Sequence, residues 1–145
     1  MKTYFFCIAL LTIILVGCTS APEQPSSGAV LPPCGVLPNC VNSYSDTGAS
    51  AIAPLRATTA QWQDLKVWLS QQENWSITEE TSDFLQAVVK TPLMQFRDDV
   101  QLAFDPEVGE IQVRSSSRLG ISDMGANRAR VENLRTQVAR EKTSL

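Results

Sequence analysis

Asp99-Val100-Gln101-Leu102-Ala103-Phe104-Asp105-Pro106-Glu107-Val108-Gly109-Glu110-Ile111-Gln112-Val113-Arg114 is the stretch that decides the fold. Val100, Leu102 and Phe104 alternate with Gln101 and Ala103, the two-residue period of a half-buried strand. After Phe104 come Pro106 and Gly109, placed where turn chemistry wants them. Ile111 and Val113 then resume the alternation. Two such runs joined by a short polar loop predict an antiparallel hairpin over 99–114.

Working outward, Trp75 and Ile77 alternate with Ser76 and Thr78, and Phe84–Lys90 is a further strand candidate, apolar in part on both faces. Before them, Thr58 or Thr59 is a good N-cap for a helix reaching about Gln72. Trp62, Leu65 and Leu69 recur at helical spacing, with Trp68 widening the stripe and Gln61, Asp64 and Gln71 left for water. After the hairpin, a helix is expected from about Met124 to Arg140, capped by Ser122 or Asp123. Met124, Val131, Leu134 and Val138 form its narrow apolar stripe, and Arg128 and Glu132 are an i, i+4 pair. Such helices must bury their stripes, and the sheet offers the only large apolar surface. The expectation is an α+β two-layer sandwich: an antiparallel sheet of three to four strands, with an N-terminal and a C-terminal helix packed on it. The tryptophans read as core.

The N-terminus carries an address. Lys2 precedes about 13 mostly apolar residues, too few for a spanning helix, which needs roughly 20. Leu15-Val16-Gly17-Cys18 ends that run and resembles the lipobox of bacterial lipoproteins. The resemblance implies cleavage before Cys18, a diacylglycerol on its sulfur and an acylated new N-terminus. Thr19 and Ser20 lack the aspartate that commonly retains such proteins in the inner membrane. The expected place is therefore the periplasm-facing outer membrane of the cell envelope. The chain divides into a signal peptide over 1–17, a lipidated cysteine with a tether and a disulfide loop over 18–51, and one α+β domain over 52–145. As a flexible coil, residues 19–51 would span roughly 30 Å.

Composition excludes several functions. The 145 residues hold 12 basic and 15 acidic side chains, net charge −3, which argues against nucleic acid as a partner. Charge is uneven: residues 58–113 are strongly acidic and 114–145 basic. There is no histidine, and of four cysteines one leaves with the signal peptide and one takes the lipid. Cys34 and Cys40 remain, an even pair in an exported chain, so a disulfide is expected. Without Cys-x-x-Cys spacing or histidine, neither redox catalysis nor a metal site is expected, and no cofactor is implied.

One polar constellation stands out. Arg97, Asp98 and Asp99 lead into the first hairpin strand. Arg114, Ser116 and Arg118 follow the second, and Asp123, Asn127 and Arg128 open the last helix. The hairpin brings Asp98 and Asp99 beside residues 114–118. These runs, with Cys34–Cys40, Ile52–Leu55 and Arg114–Arg128 in full, closely resemble the domain-of-unknown-function 1499 family over about residues 34–140. The resemblance implies no reaction, cofactor or ligand. One departure is local: Gly35 stands where members often carry proline.

The constellation admits three readings. It is a structural network of aspartates and arginines pinning the hairpin to the last helix. It is an anion site in which Arg114, Arg118 and Arg128 hold a small anionic ligand or lipid headgroup. Or it is a hydrolase-type centre with Asp98 or Asp99 as general base. The balance falls on a lipid-anchored envelope protein with a non-catalytic binding or scaffolding role, its partners a membrane and an envelope protein or anionic ligand.

Overall fold

The computed structural model describes residues 31–45, 48–92 and 95–140. The signal peptide, Cys18 and the tether as far as residue 30 lie outside them. The elements are β1 (Cys40–Asn42), β2 (Leu55–Arg56), α1 (Thr59–Ser70), β3 (Trp75–Glu80), β4 (Phe84–Lys90), β5 (Arg97–Asp105), β6 (Glu110–Ser117) and α2 (Ala126–Arg140). The fold is α+β. The sheet runs β1-β6-β5-β4-β3, with β2 also on β6, and every named pairing is antiparallel.

The predicted hairpin is present, with Leu102 opposite Val113 and Phe104 opposite Ile111. Among the described residues, however, the sheet has six strands rather than three or four. The two added strands are three and two residues long and line the outer edge of β6. Both precede α1, so the first helix follows two strands and does not open the domain. Residues 40–42, assigned from sequence to the disulfide loop, are thus part of the sheet.

Register sorts the sheet into two faces, because directly paired residues point the same way. One face carries Leu85, Ala87, Val89, Val100, Leu102, Ile111 and Val113. These join Trp62, Leu65 and Leu69 of α1 and Val131, Leu134 and Val138 of α2 in one buried core. Trp62 is fully buried; it stacks on Phe104 at 5.7 Å, and its indole N–H donates to the Ser82 carbonyl at 2.7 Å. Trp68 and Trp75 pack on the same core.

Helix starts follow local chemistry. Thr58 caps α1: its hydroxyl accepts the Gln61 N–H, while the Gln61 side chain accepts the Thr58 N–H. Gln61, expected in water, is buried by this role and by donating to the Val138 carbonyl at 2.9 Å. α2 begins at Ala126, two residues late, because Met124 and Gly125 both sit at positive φ and turn the chain into the helix. Met124 therefore leaves the apolar stripe and is 98% exposed.

Cys34 and Cys40 form a disulfide, with Cα atoms 5.7 Å apart. It closes a seven-residue loop. In the chain-entropy view, opening it by Cys40→Ser should cost about 2 kcal/mol, read in urea melts. A loss beyond about 4 kcal/mol would mean that the bridge holds the whole sheet and not a local loop.

Candidate functional site

Strand alternation splits the polar constellation in two. Asp98 pairs with Val89 and Ser117 and lies on the core face. Asp99 pairs with Val88 and Ser116 and lies on the face without helices. Neighbours in sequence, they serve different networks on opposite sides of the sheet.

On the core face Asp98 meets Arg130, which reaches down from α2. Arg130 Nη2 donates to Asp98 Oδ2 at 2.6 Å, and both side chains are nearly buried. Arg130 Nη1 donates to Asn127 Oδ1 at 2.6 Å and to Ser115 Oγ at 2.8 Å. Ser115 Oγ donates to Asn127 Oδ1 at 2.7 Å. The Asn127 amide then donates to the Asn39 carbonyl at 2.8 Å and to Ser117 Oγ at 3.1 Å. Asn127 is completely buried with its side chain fully engaged. The network ties β5, β6, the residue before β1 and α2 together.

Asp123 anchors the start of α2. Its two oxygens accept the N–H groups of Asn127 at 2.8 Å and Gly125 at 3.0 Å. Burial alone would raise its carboxyl, but these bonds outweigh burial and hold it below the usual carboxylate value. Arg128, grouped with Arg114 and Arg118 from sequence, lies apart from them. It donates to the carbonyls of Ala49 and Ala51 at 2.9 and 2.7 Å. Glu132 pairs not with Arg128 but with Arg135, at 2.9 Å.

On the helix-free face, Arg118 grips Asp99 with two parallel bonds of 2.8 and 2.7 Å. That bond raises the Arg118 guanidinium above its ordinary value. Asp99 is thus bonded to Arg118 and not to Arg114. Ser116 lies between Asp99 and Cys40 in the register, and Arg97 is exposed at the start of β5.

Next to this pair a polar row crosses the sheet. Glu79, Gln86, Gln101, Arg114 and Asn42 stand in direct register on β3, β4, β5, β6 and β1. The Gln101 amide donates to Gln86 Oε1 at 2.9 Å, and Asn42 donates to the Pro32 carbonyl at 2.7 Å. Three buried atoms in the row have no hydrogen-bond partner: Glu79 Oε2, Gln101 Oε1 and Arg114 Nε. Gln101 is 0% exposed. Burial pushes the Arg114 guanidinium below its ordinary value, with Asp99 nearby opposing the shift. Buried polar atoms are normally satisfied, so three orphans in one row are unusual.

Sequence reasoning missed Arg130, Gln86, Gln101 and Glu79. The signal for Arg130 was in the strand period: a residue with the parity of Val100 and Leu102 must face the core, and a carboxylate there needs a cation from the helix above.

The fold and these networks define a small α+β domain, a six-stranded antiparallel sheet with two helices joined to one face. Residues 30–138 match the family described as protein of unknown function (DUF1499), and the chain belongs to that family. No curated protein and no solved structure matches it.

Asp98→Ala or Arg130→Ala leaves its partner as a buried unpaired charge, and each should cost roughly 3–5 kcal/mol in denaturant melts. The double variant should lose less than the sum. The exposed Glu132–Arg135 pair should contribute only about 0–1 kcal/mol. Equal, additive losses at both pairs would contradict the network.

Asp123 gives a pH dependence. Its folded value is depressed, so its contribution is complete above the unfolded value of 3.8 and disappears as pH falls through the lower folded one. Asp123→Asn should flatten the acid limb of the stability curve below about pH 4 relative to wild type. Superimposable acid limbs would remove Asp123 from the account.

Proposed function

We propose that this is a lipid-anchored cell-envelope domain, facing the periplasm from the outer membrane, that works by binding and not by catalysis. The observation that carries the binding half is the orphan pair on adjacent strands of the helix-free face: Arg114 Nε lacks an acceptor and Gln101 Oε1 lacks a donor. The complement is an anion that also bears a hydrogen-bond donor. The hydrolase reading loses support, because Asp98 and Asp99, its two candidate bases, both have oxygens committed to guanidinium groups. The anion reading survives in altered form. Arg114 stays available, Arg118 is engaged by Asp99, and Arg128 is elsewhere. The anchoring half rests on the lipobox resemblance at Cys18.

Hydrogen phosphate carries an anionic oxygen and an O–H; sulfate carries no donor. In thermal melts phosphate should therefore stabilise the protein more than equimolar sulfate does, although sulfate is the stronger general stabiliser. Arg114→Met removes a desolvated, unpaired cation. Without anions it should be neutral or stabilising, and it should abolish the preference for phosphate. A phosphate response no larger than that of sulfate, or one retained in Arg114→Met, would defeat the reading.

A further inference from the structure

Six large apolar side chains stand in water at one end of the domain. Val36 and Leu37 lie in the disulfide loop, Phe96 precedes β5, and Leu119, Ile121 and Met124 lie between β6 and α2. The loops that carry them are joined. The Asn39 side chain donates to the Gly120 carbonyl at 2.8 Å, and the Arg118 N–H donates to the Arg97 carbonyl at 3.1 Å. The Asp123 N–H reaches the Pro38 carbonyl at 3.5 Å. Phe96 and Leu119, with Arg97 and Arg118, line a shallow cleft of about 200 Å³. Met124 holds its exposed side chain on a backbone at φ 52, a left-handed conformation that disfavours residues other than glycine and asparagine. Exposed apolar groups clustered on joined loops mark a contact surface.

Charge gives this end a direction. Arg97 and Lys90 are exposed at its rim. Of the carboxylates described at this end, Asp98 and Asp99 are paired with Arg130 and Arg118, Asp123 is bonded to N–H groups of the α2 start, and Glu73 lies exposed in the turn before β3. The far end of the same strands carries Glu80, Asp83, Asp105, Glu107 and Glu110, of which Glu80 is paired with Lys66 and Glu110 with Arg56, leaving that end net acidic. An apolar tip with a basic rim, opposite an acidic pole, complements an anionic bilayer surface. Chain connectivity agrees. The described chain begins at Leu31, three residues before the disulfide that carries Val36 and Leu37. The 13 residues from Cys18 to Leu31 reach at most about 45 Å, so a lipid on Cys18 keeps the tip within range of its membrane.

We propose that this tip rests in the interface of the bilayer that holds Cys18, with its six apolar side chains at the headgroup boundary and Arg97 and Lys90 against lipid phosphates. The contact orients the domain with its acidic pole away from the membrane. The inference rests on the anchoring half of the reading above and is independent of Arg114.

The test uses the full-length acylated protein, with its disulfide intact, in vesicles of phosphatidylethanolamine and phosphatidylglycerol. An environment-sensitive nitrobenzoxadiazole label is placed on Ile121→Cys, on Met124→Cys, or on Val108→Cys at the acidic pole. Flotation reads the anchor and the label reads the tip. Blue-shifted emission at 121 and 124, quenched by brominated lipid, with water-like emission at 108, is the expected result. Flotation with water-like emission at all three positions leaves the anchor standing and overturns the tip contact. A blue shift at 121 that follows protein density and ignores brominated lipid means that a second copy or another protein covers the tip, and also overturns it. No flotation removes the anchor and the tip contact together.

Discussion

The structure depends on one consequence of strand alternation: Asp98 has the parity of Val100 and Leu102, so β5 carries a carboxylate into the core face. A buried carboxylate without a cation is costly enough to unfold a small domain. Arg130 answers it, and α2 must then lie where Arg130 can reach. Asn127, one turn earlier, fills the remaining positions on Ser115, Ser117 and Arg130. Asp123 fixes where that turn begins. The apolar stripe of α2 holds the helix against the sheet, but hydrophobic contact is non-directional. The polar network sets the helix's position along the sheet and its rotation.

The other face follows a different rule. The core-side network leaves none of its buried side-chain atoms unpaired, whereas the row from Glu79 to Asn42 leaves three. Low dielectric makes a satisfied network rigid and an unsatisfied one expensive. Two polar clusters built from neighbouring residues of the same two strands thus have opposite energetic character. The second keeps buried donors and acceptors without protein partners.

Much of this was legible in the sequence. The hairpin, α1 with a cap at Thr58 or Thr59 and the core role of Trp62 follow from periods of 2 and 3.6 and from cap chemistry; the structure places the cap at Thr58. What was not legible has physical reasons. β1 and β2 are three and two residues long and exist only as partners of β6, far away in sequence, so no local pattern marks them. Gln61 is polar yet buried, because capping and a carbonyl 77 residues away use its amide. The supposed grouping of Arg114, Arg118 and Arg128 assumed that nearness in sequence is nearness in space. Arg114 and Arg118 do share the helix-free face beside Asp99, but Arg128, on α2, bonds the carbonyls of Ala49 and Ala51 instead. Arg130 was inferable from Asp98, but only by asking what a core-facing carboxylate requires.

The two sheet edges have a consequence of their own. An open strand edge is a template for pairing with another chain, and the danger grows when molecules share one surface and meet often. Here β6 is shielded by β1 over Arg114–Ser116 and by β2 over Glu110–Ile111, two pieces too short to recruit a neighbour. On the opposite side, β3 breaks register between Ile77 and Glu79 and ends on Glu79 and Glu80. A bulge and paired negative charges spoil that edge as a template. At high local density each sheet stays closed to its neighbours, which favours separate molecules over a fibre.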